Sequence, residues 1–182
     1  AFYNQTFQDI DYQVSLRRYG DSGAIHGVVV RGEPLPLGDM NLWHSGYGFF
    51  INRNGYFDVL RFDNGHYTEL QPWTIHEAIN TGDAWNTLRV MAQGPRLDFY
   101  VNDRLIWSGS DATHRSGNAG VLMYNSNATG NRLEVDWAAL YHGTPQYLSY
   151  DDFENPVSAR WGFGAISGTN TWYYPQTNNP FG

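Results

Sequence analysis

The sequence predicts an all-β chain, a single sandwich or barrel of short antiparallel strands. Three observations carry this. Aromatic residues make up 16% of the 182 residues, beside 20 glycines and only 16% charged residues, a balance suited to half-buried pleated surfaces. Short runs alternate apolar and polar side chains. Turn signals of the Asn-Gly and Gly-rich kind separate those runs at regular intervals.

The elements follow in order. Residues 11–16 (DYQVSL) alternate, and 25–30 are β-branched, so both read as strands. Residues 33–43 carry Pro34 and Pro36 and read as a long loop. Residues 47–51 and 56–62 flank Asn52-Arg53-Asn54-Gly55, a hairpin turn, and Asn64-Gly65 makes a second one leading into 66–70. Residues 72–80 are the helical candidate: Thr74 and Glu77 have capping-box spacing and Gly82 lies beyond the end. Strands resume at 85–92, 97–101 and 105–108, the last two joined around Asn102-Asp103, and 120–125 and 133–141 complete the series. Residues 1–143 thus form the main body, 144–150 a linker, and 151–182 an aromatic-rich tail too rich in Trp, Tyr and Phe for a disordered one.

Composition excludes several functions. The net charge of −7 argues against nucleic acid or anionic membrane as partner. There is no lysine for a Schiff base or a P-loop and no cysteine for thiol chemistry, disulfides or zinc. No apolar run approaches the roughly 18 residues of a membrane span. The opening Ala1 reads as a processed end or the edge of a longer chain.

Residues 47–141 carry an ordered set of motifs: YGFFINRNGYFDVLRFDNGHYTELQPWT, AINTGDAWNTLRVMAQGPRLDFYVNDRLI and SGNAGVLMYNSNATGNRLEVDWAAL. In that order they resemble the concanavalin A-like, laminin-G-like jelly-roll module of bacterial surface and secreted proteins. The resemblance implies an antiparallel two-sheet jelly roll, here with one short helical turn, in an extracellular or cell-surface protein. The tail resembles the opening of the same module: Asp151, Asp152, Phe153, Glu154, Asn155 and Pro156, followed by Trp161. In the usual module that opening comes first. Joined ahead of Ala1, residues 151–182 would complete one module in the usual order. The chain is then a permuted module closing on itself, one period of a tandem array, or a subunit whose tail completes its neighbour. In each case Asp152, Phe153, Trp161, Trp172, Tyr174 and Phe181 form the completing segment.

Several sites follow as expectations. Sugar binding needs an exposed aromatic platform beside planar polar groups. Trp43, His44 and Tyr47 after the Pro-Gly loop are one candidate, with Trp43 expected to be exposed. Trp172, Tyr173 and Tyr174 are another, and equally fit the buried face of a completing strand. Trp73, Trp85, Trp107, Trp137 and Trp161 are expected in the core or packed on hairpins. No cofactor is required by any motif, although Asp151, Asp152 and Glu154 supply hard oxygens for a structural calcium ion. Glu134 and Asp136 would share a strand face as in jelly-roll glycosidases, but Ala139 stands where the second catalytic carboxylate belongs. The histidines form no metal-binding spacing, and no Gly-x-Ser-x-Gly elbow is present. Asn4 and Asn127 begin N-glycosylation triplets.

The expectation is a non-enzymatic module for carbohydrate binding or adhesion, with a glycan or surface protein as partner. The alternative is a structural subunit of a filament built from copies of itself head to tail. A glycoside hydrolase is a third, weaker reading.

Overall fold

The computed structural model describes residues 1–124 and 130–142, and the backbone of 146–151 and 161–162. Among them are thirteen strands: β1 (Phe2–Phe7), β2 (Ile10–Tyr19), β3 (His26–Glu33), β4 (Ser45–Ile51), β5 (Tyr56–Asp63), β6 (His66–Ile75), β7 (Asn86–Gln93), β8 (Arg96–Val101), β9 (Arg104–Ser110), β10 (Gly117–Met123), β11 (Arg132–His142), β12 (Gln146–Asp151) and β13 (Trp161–Gly162). They form two antiparallel sheets. The seven-stranded sheet runs β13-β1-β10-β3-β4-β5-β6 and the six-stranded sheet runs β12-β11-β2-β7-β8-β9. This is the two-sheet jelly-roll sandwich the sequence predicts.

Alternation builds the core between the sheets. Tyr12, Val14 and Leu16 of β2 and Leu88 and Val90 of β7 face Val28, Val30, Tyr47, Phe49 and Val59 of the other sheet, all fully buried. The turns follow local chemistry. Asn64 and Gly65 both have positive φ, 51° and 83°, as do Asn102 and Asp103, at 49° and 65°. That is the backbone hand which matches strand twist in a two-residue hairpin.

The seven-stranded sheet is buried on both faces at its centre. Val29, Phe50, Leu60, Phe62 and Leu122 point away from the core, and Leu42 and Trp43 of the β3–β4 loop cover them. This is why β3 and β4 read as almost continuous buried runs. The loop is pinned to the β5–β6 turn: Asp39 N donates to Gly65 O at 2.6 Å and Gly65 N to His44 O at 2.8 Å. A Cβ on Gly38 would lie 2.4 Å from Gly65 Cα, so this backbone-to-backbone contact needs glycine.

Two expectations are corrected. Residues 72–80 are not helical: β6 runs through Ile75, whose partner is Tyr56 of β5. Strand pairing overrides the local capping signal, leaving one turn in which Ile79 N donates to His76 O at 3.1 Å. The short helical turn is instead a 3-10 turn at Asp39–Asn41. β12, Gln146–Asp151, begins within the stretch 144–150 and pairs with β11. No helix among the described residues is long and apolar enough to cross a membrane.

Candidate functional site

An open depression of about 560 Å³ lies on the outer face of the seven-stranded sheet, at the end the covering loop leaves bare. Trp73, Tyr56 and Tyr124 line it with Asn52, Asn54 and Asp21. The three aromatic residues are 38%, 39% and 38% exposed.

Each is placed by a local cause. In the β5–β6 register Phe57 pairs with Thr74 and Val59 with Gln71, so Pro72 and Trp73 together oppose Asp58. This is a bulge on an edge strand, where proline is tolerated and a side chain is re-aimed. Thr74 Oγ1 donates to Pro72 O at 2.9 Å and Gln71 Nε2 to Thr74 Oγ1 at 2.9 Å, which fixes the bulge. Asn52 Oδ1 accepts from Asn54 N at 3.0 Å and Tyr56 N at 3.1 Å, closing the β4–β5 turn. Tyr124 N donates to Ile25 O at 3.0 Å as the chain leaves β10. Asp21 Oδ1 accepts from Gly23 N at 2.9 Å.

The chemistry is that of a platform with polar surroundings. An aromatic face buries the apolar side of a flat ring, and carboxamides and carboxylates meet hydroxyls in two directions. Behind Trp73 stands Asp58, on the outer face of β5. It is 3% exposed, and its Oδ1 has no hydrogen-bond partner among the described residues. Burial, reinforced by the charge of Glu69, pushes its pKa up to about 8.

The predicted site residues are distributed otherwise. Trp43 is not exposed: it is 5% accessible, edge-on to Phe2 with ring centroids 6.0 Å apart. Its ring lies on Gly32, where a Cβ would meet it at 2.4 Å. A Pro-Gly loop folded back onto an apolar sheet face buries its aromatic residue. Tyr47 is fully buried in the core between the sheets, its hydroxyl donating to Asp111 Oδ1 at 2.8 Å. His44 is half-buried, its backbone N bonded to Glu33 O. Trp43 and Tyr47 therefore stand on opposite faces of one sheet, and the three form no common platform. Of the tryptophans expected inside, Trp73 and Trp85 are exposed. Trp172, Tyr173, Tyr174, Asp152, Phe153, Glu154 and Phe181 lie outside the described residues, and Asp151 and Trp161 are described as backbone alone. Among the described residues no cluster of three His, Asp or Glu is placed to hold a metal ion.

Glu134 lies on the outer face of the six-stranded sheet, across the sandwich from the depression. Arg17 Nε and Arg132 Nη2 hold its carboxylate at 2.7 and 2.9 Å. The register shifts between Val135 and Trp137, so the alternation that would align Glu134 with Asp136 is broken there.

Sequence reasoning missed Trp73, Tyr56, Tyr124, Asn52 and Asn54 as a group. Pro72 was the available signal, since proline within a strand-like run marks an edge or a bulge.

No protein-family model matches the chain, and no curated protein matches it. Solved structures do. The chain is similar to the carbohydrate-binding module CBM66 from Bacillus subtilis, with a TM-score of 0.55 and 17% identity over 72% of this chain and 74% of that one. It is similar to a legume lectin-like domain from Entamoeba histolytica, with a TM-score of 0.55 and 17% identity over 78% and 77%. A native glycosidic hydrolase gives a TM-score of 0.57 at 13% identity over 80% and 70%. At these identities the likeness establishes the fold, a concanavalin A-like jelly-roll sandwich.

Proposed function

We propose that the protein is a non-catalytic carbohydrate-binding module of an extracellular or cell-surface protein, and that Trp73, Tyr56 and Tyr124 form its sugar platform. The observation that carries this is the convergence of three half-exposed aromatic residues with Asn52, Asn54 and Asp21 in one open depression. Its volume falls in the usual range for ligand clefts. Similarity to a carbohydrate-binding module and a lectin-like domain supports the reading. So does the setting of Glu134, whose carboxylate is ion-paired with both Arg17 and Arg132 on the opposite face of the sandwich. Adhesion to a glycan-bearing surface follows from the same platform.

The test is affinity electrophoresis of the full chain through gels cast with single polysaccharides. At least one should retard the parent protein, and Trp73→Ala should weaken that retardation about tenfold with an unchanged melting temperature. Equal retardation of both proteins would remove the platform from Trp73.

The segment 151–182 is assigned to its own chain's sandwich, as a permuted module, rather than to a neighbour's. Support comes from its described part: β13, Trp161–Gly162, pairs with Phe2 and Tyr3 of β1 at the edge of the seven-stranded sheet, and β12, paired with β11, leads the chain up to Asp151. Light scattering over a dilution series should give a constant mass near 20.7 kDa. A mass that grows with concentration would favour the filament subunit.

A further inference from the structure

The geometry points to a neutral oligosaccharide of several units, laid across the strands, as the occupant of the depression. This rests on the carbohydrate-binding reading and specifies its ligand. The lining residues come from successive strands rather than from one point. Trp73 is on the edge strand β6, Tyr56 opens β5, Asn52 closes β4, Ile25 enters β3 and Tyr124 leaves β10. Trp73 and Tyr124 are thus separated by four inter-strand steps, on the order of 19 Å at about 4.8 Å per step. No single sugar ring touches both. A short chain does, because one sugar repeat is comparable to one strand spacing, giving about four units. Met40 of the covering loop and Gly23 of the β2–β3 loop also line the depression, so loops wall a floor made of strand ends.

The charge is equally specific. Among the lining residues the one carboxylate is Asp21, and none is Arg or His. The nearby cations are tied elsewhere. Arg53 donates to Gly20 O, Gly82 O and Asp83. Arg18 is buried, donating to Ile25 O at 2.7 Å and Asn131 Oδ1 at 3.1 Å. The Arg18 charge also acts on Asp21, so neither group is left over, and no guanidinium lines the depression to receive a uronate; the lining favours neutral sugars. Hydroxyls are served better. The side chain of Asn54 makes no hydrogen bond among the described residues, and Asn52 keeps its amide NH2 uncommitted because only its oxygen is used by the turn.

The test is calorimetry of the full chain against cello-, xylo-, manno- and fructo-oligosaccharides of one to six units, with oligogalacturonides as the charged series. For the neutral series that binds, affinity should rise about a hundredfold from one to four units and then level. Trp73→Ala and Tyr124→Ala should each lower the affinity of the four-unit ligand about tenfold and flatten the length dependence. Should either variant melt early, amide chemical shifts of the parent chain replace it: the four-unit ligand should perturb signals around both Trp73 and Tyr124, and the monosaccharide only one set. A monosaccharide bound as tightly as the four-unit ligand, or preference for oligogalacturonides, would overturn this inference and leave glycan binding standing. Absence of binding to every series would overturn both.

Discussion

The two outer faces of the sandwich carry similar aromatic residues in opposite states. On the six-stranded sheet the rings are capped. The Arg17 guanidinium lies 4.5 Å from the Trp85 ring centroid and 5.1 Å from that of Tyr19, Arg132 lies 4.3 Å from Tyr19, and Arg89 lies 5.4 Å from Tyr100. Those arginines are held in turn by Glu134 and by Asp11, which Arg89 grips with two nitrogens at 2.8 and 2.6 Å. On the seven-stranded sheet Tyr56, Trp73 and Tyr124 have no such cation among the described residues. Exposure does not separate the two faces, since Trp85 at 36% and Trp73 at 38% are alike. What separates them is whether the aromatic face is already occupied. A ligand on the six-stranded sheet must first displace a guanidinium worth about 0.5–1 kcal/mol to each ring. A ligand at the depression displaces only water.

The acids differ in the same way, and this gives the largest expected effect. The carboxylates of Asp11, Asp98 and Glu134 on the six-stranded sheet each hold an arginine. Asp58 on the seven-stranded sheet holds none among the described residues. Its folded pKa is raised from 3.8 to about 8, first by burial and then by Glu69. Between those values the folded chain keeps a proton that the unfolded chain releases, so stability falls as pH rises from about 4 to about 8 and is flat beyond. At about 1.4 kcal/mol per unit, the shift amounts to on the order of 5 kcal/mol across the window. Asp58→Asn should abolish that slope, so variant minus parent stability grows by this amount between pH 4 and pH 8. Urea titrations at both ends of the window measure it. Parallel pH profiles for the two proteins would place Asp58 in contact with water or a cation.

The next effect tests the cover. Trp43 closes the apolar centre of the seven-stranded sheet, a task the six-stranded sheet does not need because its outer face is polar. Trp43→Ala should cost about 3–5 kcal/mol through the cavity it leaves over Phe50 and Phe62. In a chain of this size that lowers the melting temperature by on the order of 10 °C. A drop under about 3 °C would mean that the loop lies on the sheet without stabilising it.

These faces also mark where sequence reading reached and where it stopped. Most strands between 11 and 141 were legible because alternation and Asn-Gly turns are local: Asn64-Gly65 and Asn102-Asp103 announce their hairpins without any knowledge of the rest of the chain, whereas β1, over Phe2–Phe7, was not read. The burial of Trp43 was not legible. It depends on a loop returning over Phe50 and Phe62, a contact between segments that no window of sequence contains. The same holds for Thr74 and Glu77, whose capping pattern is correct for a helix but loses to the pairing of Ile75 with Tyr56. The candidate site was the least legible part. Its residues come from five separate stretches, and only Pro72, by marking an edge bulge, hinted that Trp73 faces outward.

The smallest effect concerns the capped face. Arg17→Ala removes an ion pair with Glu134 and uncovers Trp85. Both partners are partly solvated, at 30% and 25% side-chain exposure, so the loss should be about 1 kcal/mol at low salt. It should shrink in 1 M salt, where charges are screened within about 3 Å. Urea denaturation at the two ionic strengths gives both numbers. A loss above about 3 kcal/mol, or one indifferent to salt, would make Arg17 a buried structural strut. The six-stranded face would then be a packed layer and not a solvated lattice of charges. Sugar retardation by the same variant should match the parent's, because uncovering Trp85 changes a ring on the far side of the sandwich from Trp73 and leaves the depression untouched.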